Sequence, residues 1–343
     1  MAKLYGNRWE IVEPLGQGGQ AHTYLVKDLK GESNVLYALK RLIDTNRIDR
    51  FKREIETIRN LTHENILRLI DFDLDAEKPY LVSEYCAGKS LSQAEPFWHK
   101  SPVKALGVFR QICEGMAYAH NQGVIHRDLK PDNIFLRTKE GPAVVGDFGI
   151  CYLEDSRTRL TTTDRAVGPR LFTAPELEDG RDEDISPKCD TYSLGKLLYW
   201  LLSGGRVFSR EKHRQPEWDL KGQNIDSPLG WNNIYMEHVN RLLDLMIVHN
   251  KDERRSMRNI LGLLPRVTRF VEKEFNPVAK DITQPCTYCG YGQYVLQAEN
   301  NTQVSNFGFN LVGNANWRIF VCDYCGHVQT FRVDMADKRQ WWN

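Results

Sequence analysis

Apolar and polar positions near the start of the chain follow two different periods. Short runs rich in β-branched and aromatic residues predict strands. These runs lie at residues 9–15, 21–28, 35–41 and 79–85. Between the third and fourth runs, apolar side chains recur at every third or fourth position, which is the period of one helix face. They are Ile48, Phe51, Ile55, Ile58 and Leu61. The sequence therefore predicts a β-rich region that contains one amphipathic helix.

A helical pattern begins at Ser101. This serine fits a helix N-cap, Pro102 fits the first turn and Gly123 fits the stop. A second, more apolar helix is predicted at residues 190–202, where Gly195 and Lys196 interrupt the apolar run. A larger helical region therefore follows the β-rich one.

The pattern changes again where Pro277 and Pro285 bracket a short linker. Further β-prone runs follow at residues 293–296, 318–321 and 328–333. Since 343 residues exceed what one core usually supports, two or three domains are expected. The predicted organisation is a tail at 1–8, a two-lobed domain at 9–272 (lobes at about 9–85 and 87–272), a linker at 273–284 and a small domain at 285–343.

Composition narrows the class of protein. An apolar fraction of 41% and a charged fraction of 27% are typical of a globular chain. The net charge of +1 gives no general attraction to nucleic acid or to an anionic membrane. No apolar run reaches the ~20 residues that span a bilayer, and residues 1–10 lack the apolar core of a signal peptide. We expect a cytoplasmic protein without membrane contact.

The eight cysteines form two groups. Scattered cysteines are interpreted as small buried apolar residues. They are Cys86, Cys113, Cys151 and Cys189. The others occur as two Cys-x₂-Cys pairs, which in a cytoplasmic chain indicate a metal site rather than disulfides. They are Cys286, Cys289, Cys322 and Cys325.

Several motifs carry the parts that phosphoryl transfer needs. A glycine-rich turn at residues 16–21 lets backbone N–H groups approach phosphates, and Lys40 on the third predicted strand brings an ammonium group. Glu54 on the following helix lies where it can pair with that lysine. Taken alone, each has a plainer interpretation: an ordinary turn, an edge lysine and a surface glutamate.

The segment 126–133 reads His-Arg-Asp-Leu-Lys-Pro-Asp-Asn and is the most specific string in the chain. It supplies a carboxylate for an incoming hydroxyl, a lysine for phosphate charge and an amide oxygen for a metal. Asp-Phe-Gly follows at 147–149 and Ala-Pro-Glu at 174–176. Hard oxygen ligands such as Asp and Asn suit Mg²⁺.

Residues about 9–272 resemble a eukaryotic-type (Hanks-type) serine/threonine protein kinase domain. The resemblance implies an α+β, bilobal protein-kinase fold with ATP between a β-rich N-lobe and a helical C-lobe. It implies that Lys40 contacts the α- and β-phosphates and pairs with Glu54, and that Asp128 is the catalytic base or the residue that orients the acceptor hydroxyl. It also implies that Lys130 stabilises the transferring phosphoryl group, and that Asn133 and Asp147 hold Mg²⁺ or Mn²⁺.

The resemblance implies two further sets of residues. The remaining nucleotide-binding positions are Gly16, Gly18, Gly19, Ala21, Thr23, Ala38, Ser83 (as a small gatekeeper), Glu84 and Cys86 (hinge backbone), and Phe135. The structural positions are His126, Arg127, Phe148, Asp190 (which anchors the central helix of the C-lobe), and Glu176 paired with Arg254.

Some positions bear on the choice of acceptor. Lys130 favours serine or threonine, since tyrosine kinases usually lack it. Ala21 and Thr23 depart mildly from the usual glycine and valine, whereas Pro169 replaces a threonine that braces the catalytic residues. Arg127 is expected to pair with a phosphate on Thr161, Thr162 or Thr163. The alternative is a polar loop without that role.

The paired cysteines resemble a zinc ribbon, with iron as the alternative metal. Gly290 and Gly326 directly follow the pairs, and His327 is expected on the surface. About 60 residues offer a thin core, so the domain should unfold without metal. From Asp281 onward, five acidic residues face four basic ones, which disfavours nucleic acid. A protein partner, or docking through Trp341 and Trp342, is favoured.

Two other functions compete with an active kinase. A non-catalytic, kinase-like scaffold should have lost one of the residues at 40, 128, 133 and 147, and none is lost. A small-molecule phosphotransferase shares similar catalytic residues, but Ala-Pro-Glu at 174–176 shapes a polypeptide-binding surface.

Overall fold

The computed structural model describes residues 4–17, 21–31, 35–43, 48–148, 171–178, 185–220, 236–272, 282–286, 288–289, 292–299 and 317–332. The chain divides into two compact units, Met1–Pro265 and Arg266–Asn343. This division falls within the last helix. The sequence predicts a linker at 273–284, of which residues 273–281 lie outside the described ones.

A six-stranded antiparallel sheet forms the N-terminal part of the first unit, in the order β1-β2-β3-β4-β6-β5. The strands are β1 Leu4–Tyr5, β2 Trp9–Gln17, β3 Ala21–Asp28, β4 Leu36–Leu42, β5 Leu69–Asp73 and β6 Tyr80–Glu84. The four strands predicted from the sequence are confirmed, with ends that differ by two residues at most. β5 was not predicted, because its side chains at 69–73 are mostly half-buried and do not alternate clearly.

β1 is a short strand within the segment interpreted as a tail. It pairs with β2, and the Tyr5 side chain is buried among Trp9, Tyr80 and their neighbours. Arg41 Nη1 donates a hydrogen bond to Tyr5 Oη at 3.1 Å. Because of this added strand, Lys40 lies on β4 rather than on the third strand.

Helix α1 (Ile48–Ile58) packs its apolar face on the sheet. Phe51 and Ile55 are buried against Leu42 of β4 and Leu81 of β6. A helix this short is marginal alone in water, so this packing stabilises it. The same arrangement buries Glu54 beside β4.

The C-terminal part of the first unit is mainly helical. Its helices are α2 Pro102–Asn121, α3 Pro175–Glu178, α4 Lys188–Leu202, α5 Met236–Met246 and α6 Met257–Val271, of which α6 continues past the end of the first unit at Pro265. The predicted N-cap is confirmed, since Ser101 Oγ accepts a hydrogen bond from the Lys104 N–H at 3.3 Å. Gly123 has φ +74°, a left-handed conformation that favours glycine and ends the helix.

A two-stranded hairpin, β7 (Ile134–Thr138) with β8 (Gly141–Val145), lies against α2. A short 3₁₀ turn, Pro131–Asn133, leads directly into β7. The hairpin therefore begins where the segment 126–133 ends and finishes just before Asp147. Because Ile134 pairs with Val145, the segment 126–133 and the Asp147 segment meet at the same end of this hairpin.

The second unit contains a four-stranded antiparallel sheet in the order β12-β11-β10-β9. Its strands are β9 Ile282–Pro285, β10 Gln293–Glu299, β11 Trp317–Cys322 and β12 Val328–Arg332. Tyr294 and Phe320 pack with Cys286 and Cys322 to form its small core. The three predicted strands of this region are confirmed, and β9 is an addition.

None of the helices in the described part of the chain combines the length and apolar character that a bilayer span requires.

Candidate active site and cysteine cluster

Strand register brings the predicted nucleotide-binding residues side by side. Thr23 of β3 lies opposite Lys40 of β4, and Ala38 of β4 lies opposite Ser83 of β6. Ala21 and Ser83 are buried, and Gly16 lies at the end of β2 opposite Thr23. Gly18 and Gly19 lie outside the described residues. Three adjacent strands therefore present small side chains around Lys40.

Lys40 is held between two carboxylates. Its Nζ is 3.2 Å from Glu54 Oε1 and 2.8 Å from Asp147 Oδ1. Burial alone lowers the pKa of Lys40, but the charges of Asp147 and Glu54 outweigh it and raise the pKa above its ordinary value. Burial likewise opposes ionisation of Asp147, and Lys40 nevertheless keeps its pKa below the ordinary value. Both groups are therefore charged at neutral pH.

A buried carboxylate on α4 shapes the loop that carries Asp128. Asp190 is fully buried, and it accepts hydrogen bonds from the backbone N–H groups of His126 at 2.9 Å and Arg127 at 2.8 Å. The bond to Arg127 holds that residue at φ +71°, a conformation that costs a non-glycine residue energy. Asp190 also contacts His120 Nε2 at 2.8 Å.

Asp128, Lys130 and Asn133 form a compact polar group. Lys130 Nζ lies 2.8 Å from Asp128 Oδ2, and Asn133 Nδ2 donates to the same oxygen at 2.9 Å. Asn133 Nδ2 also donates to the Asp128 carbonyl at 2.7 Å. Because the amide nitrogen is used in this way, the oxygen Oδ1 of Asn133 is the atom left to serve as a metal ligand.

Two contacts connect this group to the Asp147 segment. The Gly146 N–H donates to the Asn133 carbonyl at 2.9 Å, and His126 Nε2 lies 2.8 Å from the Gly146 carbonyl. The ring of Phe148, which is buried, lies against His126 with centroids 4.8 Å apart. The structure therefore brings Lys40, Asp128, Asn133 and Asp147 to one site. Gly149 lies outside the described residues.

The carboxylate of Glu176 and the guanidinium of Arg254 form a buried pair. Arg254 Nη2 is 2.8 Å from Glu176 Oε2, and Nη1 contacts Oε1. Arg254 also donates to the carbonyls of Val248 and His249, so all three nitrogens of its guanidinium group make hydrogen bonds. This pair attaches α3 to the segment that precedes α6.

A cavity of about 630 Å³ opens beside the segment 126–133. Its lining combines residues of that segment with two aromatic side chains. The lining residues are Ser92, Lys130, Pro131, Asp132, Asn133, Phe172 and Trp200. Ser92 Oγ donates to Asp132 Oδ1 at 2.9 Å. The cavity gives a large side chain room next to Lys130.

The segment predicted as a hinge follows β6. Glu84 ends that strand and Cys86 is buried, with burial and the Glu84 charge raising the pKa of its thiol to about 12. Phe135 lies on β7 and forms a bridge with Ser90. Sequence reasoning missed Arg137, which binds the Glu84 carboxylate. The sequence signal that could have pointed to this pair is the arginine that follows the apolar run 134–136.

The four paired cysteines converge. Their Sγ atoms all lie within 4.8 Å of one another, with Cys286 to Cys325 at 3.8 Å and Cys289 to Cys322 at 3.7 Å. A tetrahedral zinc ion with Zn–S bonds of about 2.3 Å places sulfur atoms roughly 3.8 Å apart. The donor set and its spacing therefore fit zinc. Gly326 has φ +74° after the second pair, while Gly290 lies outside the described residues.

His327, which the sequence places on the surface and outside the ligand set, is half-buried beside the cysteine cluster. Its Nδ1 lies 2.6 Å from Tyr294 Oη, and that hydroxyl lies 3.4 Å from Cys286 Sγ. The ring of Tyr288 stacks on His327 at 5.3 Å. Hydrogen bonds from neighbouring side chains of this kind orient metal-binding thiolates and tune their affinity for the metal.

Of the scattered cysteines, Cys86, Cys113 and Cys189 are buried, as expected. Cys151 lies outside the described residues. So do Pro169, the three candidate phosphorylation sites at 161–163, and Trp341 and Trp342.

The first unit combines a β-rich part with a helical part, and its Lys40–Asp147 pair lies next to the segment that carries Asp128. This arrangement defines a phosphotransferase site of the kinase type. The family model of the protein kinase domain matches residues 9–263. The chain belongs to the protein kinase family.

Several relatives share this domain. The chain is 35% identical over 212 residues to serine/threonine-protein kinase Pkn1 of Myxococcus xanthus, covering 59% of this chain and 30% of that protein. It is 32% identical over 251 residues to serine/threonine-protein kinase PrkC of Bacillus subtilis, covering 69% and 38%. It is 31% identical over 231 residues to Aurora/IPL1-related protein kinase 2 of Caenorhabditis elegans, covering 65% and 72%. The match therefore spans about a third of the two bacterial relatives.

Proposed function

We propose that this chain is a serine/threonine protein kinase that transfers the γ-phosphate of ATP to hydroxyl groups of proteins. One observation carries the proposal. Lys40 and Asp147 are paired at 2.8 Å, and the residue before Asp147 is hydrogen-bonded to Asn133, which itself contacts Asp128. A charged lysine and the candidate metal ligands and base thus meet at one site. The names of the bacterial relatives support serine and threonine as acceptors.

Each side chain has a defined task in this proposal. Lys40, fixed by Glu54 and Asp147, offers its ammonium group to nucleotide phosphates. Asp128 orients the acceptor hydroxyl and accepts its proton. Lys130, held 2.8 Å from Asp128, brings positive charge to the oxygens of the transferring group.

The residues present also fit a divalent cation. Asn133 Oδ1 and the Asp147 carboxylate are hard oxygen ligands, which Mg²⁺ and Mn²⁺ prefer. When bound, the cation neutralises charge on the phosphates of ATP. Backbone groups at Glu84 and Cys86 are proposed to meet the adenine, and the small side chain of Ser83 leaves space beside it.

The acceptor would enter next to the cavity that Trp200, Phe172 and Lys130 line. Its position supports a polypeptide substrate over a small molecule, because a neighbouring side chain of the substrate can occupy it. We further propose that the chain phosphorylates itself at Thr161, Thr162 or Thr163, and that Arg127 pairs with the phosphate.

Phosphate transfer to a generic basic protein tests the function. With Mg²⁺ and ATP, the wild-type chain should label the acceptor, and Asp128→Asn should lower the rate by roughly 10²- to 10⁴-fold. Asp147→Asn should also abolish labelling, since a candidate metal ligand is lost. An equally low signal from all three chains would instead favour the alternative, a non-catalytic scaffold.

For the second unit we propose a zinc ribbon that recognises a protein partner or substrate. The proposed boundaries are 9–272 for the kinase domain, 273–284 for the linker and 285–343 for the ribbon. Tyr288 and Tyr324 support recognition, because each is the residue before the second cysteine of a pair and they are 78% and 53% exposed. Tyrosine side chains often anchor protein interfaces. We also propose a cytoplasmic location, since paired cysteines that converge as metal ligands rather than as disulfides are typical of a reducing compartment.

Labelled proteins in cells test the role of the ribbon. The double variant Tyr288→Ala/Tyr324→Ala should label fewer cellular proteins than the wild type, while its rate on the generic basic protein stays unchanged. An identical set of labelled proteins would argue for a purely structural ribbon. Asp128→Asn provides the background for this comparison.

A further inference from the structure

Arg137 on β7 connects its strand to two segments of the N-terminal lobe. Its Nε lies 2.7 Å from Glu84 Oε2 and its Nη2 lies 3.0 Å from Glu84 Oε1. Its Nη1 donates to the Glu64 carbonyl at 2.5 Å. The two parallel bonds to Glu84 form a bidentate fork, which combines charge with a defined orientation.

Glu84 is constrained by more than this fork. Its Oε1 accepts a hydrogen bond from the Arg68 N–H at 2.9 Å, and its own N–H donates to the Arg68 carbonyl at 3.0 Å. Both the main chain and the side chain at 84 are therefore tied to the segment that leads into β5. Glu84 is also the last residue of β6, where the chain leaves the sheet.

The segment after Glu84 is joined to the same strand, β7. The Ala87 N–H donates to the Arg137 carbonyl at 3.2 Å, and the Gly88 N–H donates to the Leu136 carbonyl at 2.9 Å. The Leu136 N–H returns a bond to the Lys89 carbonyl at 2.9 Å. The backbone of Arg137 thus contacts the segment after Glu84, and its side chain contacts Glu84 itself.

The pair is partly removed from water. The side chains of Arg137 and Glu84 are 28% and 21% exposed. The hydrogen bond to Glu84 raises the pKa of Arg137 above its ordinary value, although burial opposes this. A bidentate, half-buried pair loses less to solvent screening and side-chain entropy than an exposed one.

We propose that Arg137 is a positioning residue for the nucleotide: its fork on Glu84 holds residues 84–88 ready to receive a purine base. This proposal rests on the proposed function, in which that segment meets the adenine. Without the fork, the segment must be ordered when the nucleotide binds, and the ordering lowers affinity. The chemical step takes place at Asp128, so its rate should change little.

Steady-state kinetics with variants of the pair test the proposal. Arg137→Gln should raise the KM for ATP roughly tenfold while kcat stays within about twofold. Arg137→Lys, which cannot form the fork, should lie between it and the wild type. Glu84→Gln should also raise KM, and the double variant should be no worse than Arg137→Gln alone. Arg110→Gln, which removes an exposed helix pair with Glu114, is the matched control and should change nothing.

Binding of Mg·ADP by titration calorimetry separates this proposal from the proposed function. In the Asp128→Asn background, Arg137→Gln should weaken binding by the same factor of roughly ten. The wild-type chain could transfer no phosphate while Arg137→Gln still weakens the binding of Mg·ADP. In that case the kinase proposal fails and the positioning role stands. An unchanged KM and affinity, a loss confined to kcat, or additive effects in the double variant would overturn the role of Arg137. If Arg137→Gln melts far below the wild type, the KM values of Arg137→Lys and Glu84→Gln test the positioning role instead.

Discussion

At the scale of single residues, buried charges determine the geometry of the site. Asp190 is an example, because one carboxylate accepts hydrogen bonds from two successive backbone N–H groups and contacts His120. Burial raises the pKa of Asp190, but the hydrogen bond with His120 and nearby positive charge bring it below its ordinary value. The charged carboxylate is therefore the form that stabilises the loop.

Asp190→Asn should lower the free energy of unfolding by about 2–4 kcal/mol at neutral pH. An asparagine has one oxygen, and its amide group would face N–H donors that need acceptors. Urea unfolding measures the change. Asp252→Asn, at an exposed carboxylate, is the control and should stay within about 0.5 kcal/mol of the wild type.

The pH dependence of this difference has a defined sign. The folded-state pKa of Asp190 is lowered, so its contribution is fully present above the unfolded value of about 3.9. The contribution is lost as the pH falls through the folded-state pKa. The gap between wild type and Asp190→Asn should therefore narrow as the pH falls below about 4, toward the lowered folded-state pKa of Asp190. A gap that widens on acidification would contradict the role assigned to the carboxylate.

At the scale of elements, local signals identified most of the fold. The strand Ala21–Asp28 and the helix after Ser101 follow from side-chain pattern and capping, which act over a few residues. β1 was not predicted because two residues are too few to show an alternating pattern. Its burial also depends on contact with Tyr80, which lies far along the chain. Arg137 and His327 were missed as partners for the same reason, since Glu84 and Tyr294 lie 53 and 33 residues away.

Substitution of Gly88 tests how tightly the segment after β6 packs on β7, and Gly107 in α2 provides the comparison. A Cβ at Gly88 would lie 2.0 Å from the Thr138 carbonyl oxygen and 2.6 Å from Leu136 Cβ. Gly88→Ala should therefore push the segment from β7 and destabilise the protein by about 1–3 kcal/mol. In contrast, a Cβ at Gly107 in α2 meets nothing within 4 Å. Gly107→Ala should stabilise by about 0.5–1 kcal/mol, because alanine favours a helix interior.

Denaturant unfolding of both alanine variants measures this contrast. The opposite signs are the essential result, since both substitutions add the same methyl group. Equal effects would show that the contact of Gly88 with β7 is not a constraint on the fold.

At the scale of the whole molecule, the chain has two compact units with different candidate ligands. The first unit holds the residues proposed for Mg·ATP, and the second holds four cysteines whose spacing fits zinc. Among the described residues of the second unit, the core consists of four side chains, and a unit with so small a core depends strongly on its metal. A ligand that binds only the folded state raises the stability of the unit that binds it.

Calorimetric unfolding should therefore show two transitions that respond to different ligands. A non-hydrolysable ATP analogue with Mg²⁺, at about 100 times its Kd, should stabilise the first unit by about 2.7 kcal/mol and raise its Tm by a few degrees. Removing zinc with a chelator should abolish the transition of the second unit. Asp147→Asn should lose only the nucleotide response, and Cys289→Ser only the zinc response, because each removes a ligand from one unit. One transition that responded equally to both ligands would show that the two units unfold together.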